Sequence, residues 1–361
     1  MFVFFFFVFF YALFPGDYSQ EAFYSSDEIF YFRLTESLVE QRTLEISPYL
    51  GHTHSKYTPG QSLAGIPAYL AGRILTKTFP RLFPAYFTLV SSVHLTNIII
   101  GALLCLVFYA LLRDLDYGRG PSLLATFVLG LATTFFPYSK QYFADPLAAL
   151  FLLLCVWHLN RSRRSPGHSE TLAGLFFSLA VFTKVDMFVL LFPLFLALAT
   201  WREERGMRMF RFILGMIPVG VLHAVYNHFN FGGVFHPGYG RQDFASPFFS
   251  GLYGLLLSPG RGMLIYSPPV FIALAGIAAF RRRHAAFWFL IAGLSLTRII
   301  VLSKWFSWQG GWCWGPRLLL PILPLVMLPI VEVFEGWHRI RREFRWGMIG
   351  LIAAGIIVQL A

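Results

Sequence analysis

What most constrains this chain is its alternation. About eleven stretches nearly free of charge, roughly 1–14, 83–112, 121–136, 145–160, 171–183, 187–201, 211–227, 264–280, 284–302, 318–334 and 346–361, are separated by polar connections. With 57% hydrophobic and only 13% charged residues, 361 residues cannot cover a soluble surface. The expected class is therefore an all-α, polytopic membrane protein with about 11 transmembrane helices, since helices satisfy their own backbone groups in lipid. Several stretches are shorter than the ~20 residues that usually cross a bilayer, so two or three are expected to be broken or partly embedded. The opening run MFVFFFFVFFYALF has no basic leading region and no small-residue cleavage site after it, so it reads as a retained span, short for a full crossing. Residues 1–361 read as one transmembrane domain, without internal repeats or a separate soluble domain.

The net charge of +11 would suggest nucleic acid in a soluble protein. Here sixteen of the 29 Lys and Arg fall in five short connections: RDLDYGRG, RSRRSPGHSE, REERGMRMFR, RRRH and HRIRREFR. That is the orientation signal of a membrane protein, so these connections are expected to be cytoplasmic and nucleic acid drops out. The alternate connections, 15–82, 137–145, around 183–187, 228–263 and 303–317, are rich in Gly, Pro, Tyr, Trp and His, and fall on the outer face. The N-terminus is then cytoplasmic and everything chemically unusual is outside. Of the three cysteines, Cys105 and Cys155 lie in apolar runs and only Cys313 is loop-borne, so neither a disulfide framework nor a zinc spacing is expected.

The first outer loop, 15–82, is too long for a connector and too apolar for disorder. Within it SSDEIFYFRLTESLVEQ offers Ser25 or Ser26 as an N-cap, then Ile29, Phe32, Leu34 and Leu38 at roughly helical spacing. GQSLAGIPAYLAGRILTKTF has a similar amphipathic pattern, and both read as interfacial helices. Asp27 and Glu28 open the first of them. They suit the positive end of a helix dipole, and equally a general base or metal ligand beside a lipid substrate. In HTHSKYTPGQSL, Lys56 can snorkel or grip a phosphate, while His52 and His54 are two residues apart and suit a metal poorly without further ligands. Asp145 in FPYSKQYFADPL is either interfacial decoration or part of a cavity. In TKVD, Lys184 and Asp186 are expected to pair with each other in a tight turn.

Two later outer loops complete the set. YNHFNFGGVFHPGYG and LLLSPGRGMLIYSPP carry Arg261, and SKWFSWQGGWCWGPRLLLP carries four Trp and Arg317. An interfacial belt accounts for most of the tryptophans but not for Gly310-Gly311 or the Gly-Pro-Arg where a span begins. Flexible glycines beside aromatic rings and an arginine suit a sugar and a phosphate. Asp114-x-Asp116 in RDLDYG and the glycines of HPGYG are set aside: the first lies on the basic side, and the second lacks a strand-then-helix phosphate cradle.

In order, side and spacing these elements resemble the GT-C type membrane glycosyltransferases, the bacterial branch with protein mannosyltransferases and aminoarabinose transferases. The matching elements are Asp27-Glu28, Lys56-x-x-Pro59 where relatives read Lys-Pro-Pro-Leu, Asp145, Thr183-Lys184 and the Gly310-to-Arg317 loop. The resemblance implies transfer of a sugar from a polyprenyl-phosphate carrier to a lipid, polysaccharide or protein acceptor on the outer face. It implies that Asp27 deprotonates the acceptor or orients it, with Glu28 in support and Asp145 shaping the acceptor side. Lys56 and Arg317, with Arg261, would hold the donor phosphate. Tyr57, Pro59, His54, Tyr142, Gly310, Gly311 and Trp314 would line the substrate cavity. No cofactor is obligatory, although Asp27, Glu28 and Asp145 could supply a divalent ion. Tyr57-Thr58 depart from the family pattern and leave the acceptor open. The rival expectation is a transporter or flippase, which should place ionisable residues near the bilayer midplane in two related halves. Here only Arg298 and a few histidines depart from the edges.

Overall fold

The structure is a computed structural model that describes residues 1–13, 23, 25–164, 167–200, 204–240 and 243–360. It is helical nearly throughout. The chain begins with α1 (Phe2–Leu13), then folds much of the first long loop into α2 (Ser26–Glu40), a two-stranded antiparallel hairpin of β1 (Glu45–Tyr49) and β2 (His52–His54), and α3 (Gly60–Thr78). The body follows as α4 (Ala85–Asp114), α5 (Arg119–Leu131), α6 (Phe135–Tyr138), α7 (Asp145–Ser162) and α8 (His168–Thr183). A 3₁₀ turn over Val185–Leu190 leads into α9 (Leu191–Thr200) and α10 (Arg205–Phe231). The last part holds α11 (Phe248–Leu256), α12 (Met263–Tyr266), α13 (Val270–Arg283) and α14 (Ala285–Lys304). A 3₁₀ turn over Arg317–Ile322 then precedes α15 (Leu323–Met327), α16 (Ile330–Glu335) and α17 (Arg342–Leu360).

Four of the described helices, α4, α10, α14 and α17, are long and apolar enough to cross a membrane. Shorter apolar helices, α1 and α5 among them, supplement these, as the lengths in the sequence suggested. Broken crossings have local causes. Pro321, Pro324 and Pro329 interrupt the C-terminal apolar run 318–334, because each lacks an N–H and crowds the preceding turn. One large apolar core joins α1, α4, α5, α7, α8, α13, α14 and the Pro-rich segment.

A second, smaller core lies apart from the first. Phe30, Tyr31, Phe32 and Leu34 of α2 pack with Tyr57, Tyr69 of α3, Val90 and Val93 of α4, Tyr142 and Tyr226. The described residues between 23 and 82 thus form a folded cap over one end of the helix array. Ser25 caps α2: its side chain accepts the Asp27 N–H at 3.4 Å, and Glu28 Oε2 accepts the Ser25 N–H at 3.2 Å. In α3 the inward face is small or polar, with Gln61, Ser62, Gly65 and Gly72 buried, while Leu63, Leu70 and Ile74 are exposed. That inverts the pattern of a soluble helix and suits one that meets lipid. The hairpin was not anticipated; its turn runs through Leu50 and Gly51, both at positive φ.

The helices carry the two charge populations to opposite ends. α4 runs from the cap to Asp114, α7 runs from Asp145 to Ser162, and α8 returns from His168 to Thr183. At the far end, Arg164 donates to Asp114 O, and Arg283 to Asp116 O and Glu335, so the short basic connections converge there.

Candidate functional site

Beneath the cap lies a cavity of about 470 Å³. Among the described residues, four cations and three carboxylates line it: Lys56, Lys184, Arg298 and Arg317, with Asp27, Asp145 and Asp186. They come from six separate stretches, several brought in by a local feature. Asp27 sits in the first turn of α2, next to its cap. Asp145 opens α7 behind a turn tied down by Asn97 of α4, whose Nδ2 donates to Gln141 O and, at 2.8 Å, to Phe143 O. Its Oδ1 in turn accepts Gln61 Nε2 of α3 at 2.8 Å. Lys184 ends α8 with extended backbone, φ −151° and ψ 104°. The start of α3 fits closely against this point: a Cβ on Gly60 would lie 2.6 Å from Thr183 Cα. Gly310 and Gly311 line the wall at φ +74° each, a conformation that favours glycine.

The charges are interlocked. Arg317 Nη2 is 2.7 Å from Asp27 Oδ2, and its Nε is 3.9 Å from Asp145 Oδ2. Lys184 Nζ pairs with Asp145 Oδ1. Tyr57 OH donates to Asp27 Oδ1 at 2.5 Å. Arg317 also lies over the Phe143 ring at 4.7 Å, while its Nε and Nη1 have no hydrogen-bond partner. Burial alone would raise the Asp27 carboxyl, but the Arg317 guanidinium and the Tyr57 hydrogen bond outweigh it, so Asp27 is held below its ordinary value. The Tyr57 hydroxyl moves the other way, upward, through burial and the Asp27 charge, so it remains a donor. Lys56 differs from the other cations: its ammonium lies 5.1 Å from the ring centres of Phe30 and Tyr57 and pairs with no carboxylate among the described residues.

Several expected residues stand elsewhere. Glu28 is fully buried behind Asp27, where Oε1 accepts the Tyr142 N–H at 2.7 Å and lies 3.7 Å from His94. Tyr142 does not line the cavity; its hydroxyl joins Thr35 and Gln61 O beneath the cap. Arg261 is not among the lining residues and donates to Gln309 O at 2.8 Å and Cys313 Sγ at 2.6 Å, bracing two loops. His54 is on the hairpin, Pro59 is the N-cap of α3, and Trp314 packs edge-on to Tyr266, so these three are also outside the lining. Lys184 and Asp186 do not pair with each other: residues two apart in a helical turn face different ways, and they reach Asp145 and Arg298 instead. No group of three His, Cys, Asp or Glu suited to a metal occurs among the described residues. Unforeseen lining residues are Tyr31, Asp186, Tyr239 and Arg298. Only the polarity of Arg298 within a span signalled it.

No protein-family model matches the sequence, and no curated protein does. Solved structures do match. ArnT from Cupriavidus metallidurans bound to undecaprenyl phosphate superposes with a TM-score of 0.63 at 13% identity, over 91% of this chain and 58% of that one. The archaeal oligosaccharyltransferase AglB from Archaeoglobus fulgidus, in complex with an inhibitory peptide and a dolichol-phosphate, gives 0.61 at 13% identity, over 99% of this chain and 55% of that one. The chain thus spans little more than half the length of each, and shares its fold with them.

Proposed function

We propose that this integral membrane protein is an inverting glycosyltransferase that moves a sugar from a polyprenyl-phosphate carrier to an acceptor hydroxyl or amine, within one transmembrane domain. The observation that carries the reading is the joint placement of Asp27 with Lys56 and Arg317 around one cavity. The structures sharing the fold hold undecaprenyl phosphate and a dolichol-phosphate, which supports a lipid-phosphate donor. The positive-inside pattern supports an extracytoplasmic site and, with this carrier class, the bacterial inner membrane.

In this reading Lys56, which pairs with no carboxylate among the described residues, meets the donor phosphate first. Arg317 follows by exchanging its Asp27 partner for a phosphate oxygen, which frees a carboxylate oxygen as the donor is seated. Asp27 then takes the proton of the acceptor as its oxygen or nitrogen attacks the anomeric carbon. The bond from that carbon to the phosphate oxygen breaks on the opposite face, and the carrier phosphate leaves with one more negative charge. Lys56 and Arg317 stabilise that added charge, and Asp145 with Lys184 fixes Arg317 from behind. Native mass spectrometry of protein drawn gently from its own membranes tests the donor class: a polyprenyl phosphate, bare or sugar-bearing, should accompany the wild type and be lost from Lys56→Ala. Its absence while other lipids are retained would oppose the reading.

A further inference from the structure

The transfer chemistry leaves one feature of the cavity unused, the pair between Arg298 and Asp186. Arg298 lies within α14 and is 0% exposed, in a span where a charge is costly to keep. All its nitrogens are engaged by protein: Nε donates to Leu318 O at 3.0 Å, Nη2 to Asp186 Oδ2 at 2.8 Å, and Nη1 to Asp186 O at 3.4 Å. It is therefore a bracket for Asp186 and for the residue after Arg317, not a free anion site. Asp186 itself lines the cavity, with 33% of its side chain open.

The three cavity carboxylates differ in what they have left to offer. Asp27 gives one oxygen to Tyr57 and the other to Arg317; Asp145 gives one to Lys184 and has Arg317 beside the other. Asp186 gives one to Arg298, and its Oδ1 is the only carboxylate oxygen among the described residues that is buried without a hydrogen-bond partner. An unmatched buried acceptor is costly, and because a carboxylate oxygen accepts more than one hydrogen bond, the partly open Asp186 carboxylate has capacity for a further donor from the cavity. A ligand hydroxyl would satisfy it. Charge argues against an ammonium: among the described residues the four cations and three carboxylates of the lining leave +1, which one sugar phosphodiester cancels. An amino sugar would restore the excess charge.

We propose that Asp186, bracketed by Arg298, reads a hydroxyl of the transferred sugar and sets donor specificity, and that this sugar is neutral. The proposal rests on the transferase reading above. Binding to the wild type and to Asp186→Asn in lipid nanodiscs is measured for undecaprenyl phosphate, its mannosyl, glucosyl and galactosyl phosphodiesters, and a 4-amino-4-deoxypentosyl phosphodiester. The wild type should bind at least one neutral hexosyl carrier more tightly than the bare carrier and the amino-sugar carrier. Asp186→Asn should lose about tenfold or more of that preference, the scale of one hydrogen bond to a charged group, while the bare carrier is held as before. Equal loss of bare and sugar-bearing carriers would overturn the assignment, as would a wild-type preference for the amino sugar. A wild type that fails to bind undecaprenyl phosphate at all would overturn the transferase reading and this proposal with it. The wild-type comparison needs no variant, and Asp186→Asn with Arg298→Gln removes both charges should the single change impair folding.

Discussion

Two glutamates at opposite ends of the molecule begin with the same local chemistry. Glu28 and Glu170 each stand three residues into a helix, are 0% exposed, and accept the N–H of the cap residue, Ser25 at 3.2 Å and Gly167 at 2.7 Å. Their other oxygens part company. Glu170 Oε1 holds Arg208 at 3.3 Å in a buried ion pair that joins α8 to α10 at the basic end. Glu28 Oε1 holds the Tyr142 N–H at 2.7 Å, in the turn that leads to Asp145. One therefore locks two helices together, and the other ties the segment bearing Asp27 to the segment bearing Asp145. The same residue in the same motif serves stability at one end and the geometry of the site at the other.

Variants should separate the two roles. Glu170→Ala leaves Arg208 buried without its carboxylate, so it should cost about 3–5 kcal/mol of stability, the largest effect, with turnover per folded molecule unchanged. Glu28→Ala unpairs the Ser25 and Tyr142 N–H groups and should cost about 1–3 kcal/mol. Unlike the first, it should also lower kcat more than it weakens carrier binding. Glu28→Gln, which keeps an acceptor oxygen, should recover part of that loss. Thermal unfolding in nanodiscs beside a transfer assay reads both, and a kcat loss confined to Glu170→Ala would break the comparison. Smallest of all should be Arg283→Ala at the basic surface. Its pair with Glu335 is more than a third exposed on both sides and screened by solvent, so the cost should stay below about 1 kcal/mol with turnover intact.

The fold was legible where hydropathy and capping signals are local. Ser25 or Ser26 ahead of Asp27-Glu28 marked the start of α2, and the basic connections do gather at one end. Within the site, Asp27, Lys56, Asp145, Arg317, Gly310 and Gly311 were nameable because charges and paired glycines are conspicuous in an apolar chain. What escaped were properties of approach between distant segments. Asp186 looked like a partner for Lys184 because sequence adjacency hides a two-residue change of face. Tyr239 lay in HPGYG, dismissed as a phosphate cradle, yet it reaches the cavity as an aromatic wall 5.5 Å from Tyr57. Arg261, Trp314 and His54 have the right chemistry for the site but are engaged on other loops, a fact that no spacing encodes.

The central claim is that Asp27 is the base toward the acceptor. Its carboxyl is held below the ordinary carboxylate value, so in the folded protein it stays ionised across neutral and mildly acidic pH. The stability its pairing contributes is present above the unfolded-state pKa and is lost only as pH falls through the lower folded value. The most direct measurement is transfer from a sugar-bearing undecaprenyl phosphate by Asp27→Asn, from neutral into acid pH, with carrier binding and folding followed on the same samples. Turnover should fall by about 10²–10⁴-fold at every pH while the carrier is still bound, and wild-type kcat/KM, which reports the resting enzyme with Arg317 on Asp27, should have no acid limb at or above the ordinary carboxylate range. A folded Asp27→Asn that still turns over near the wild-type rate would contradict the account.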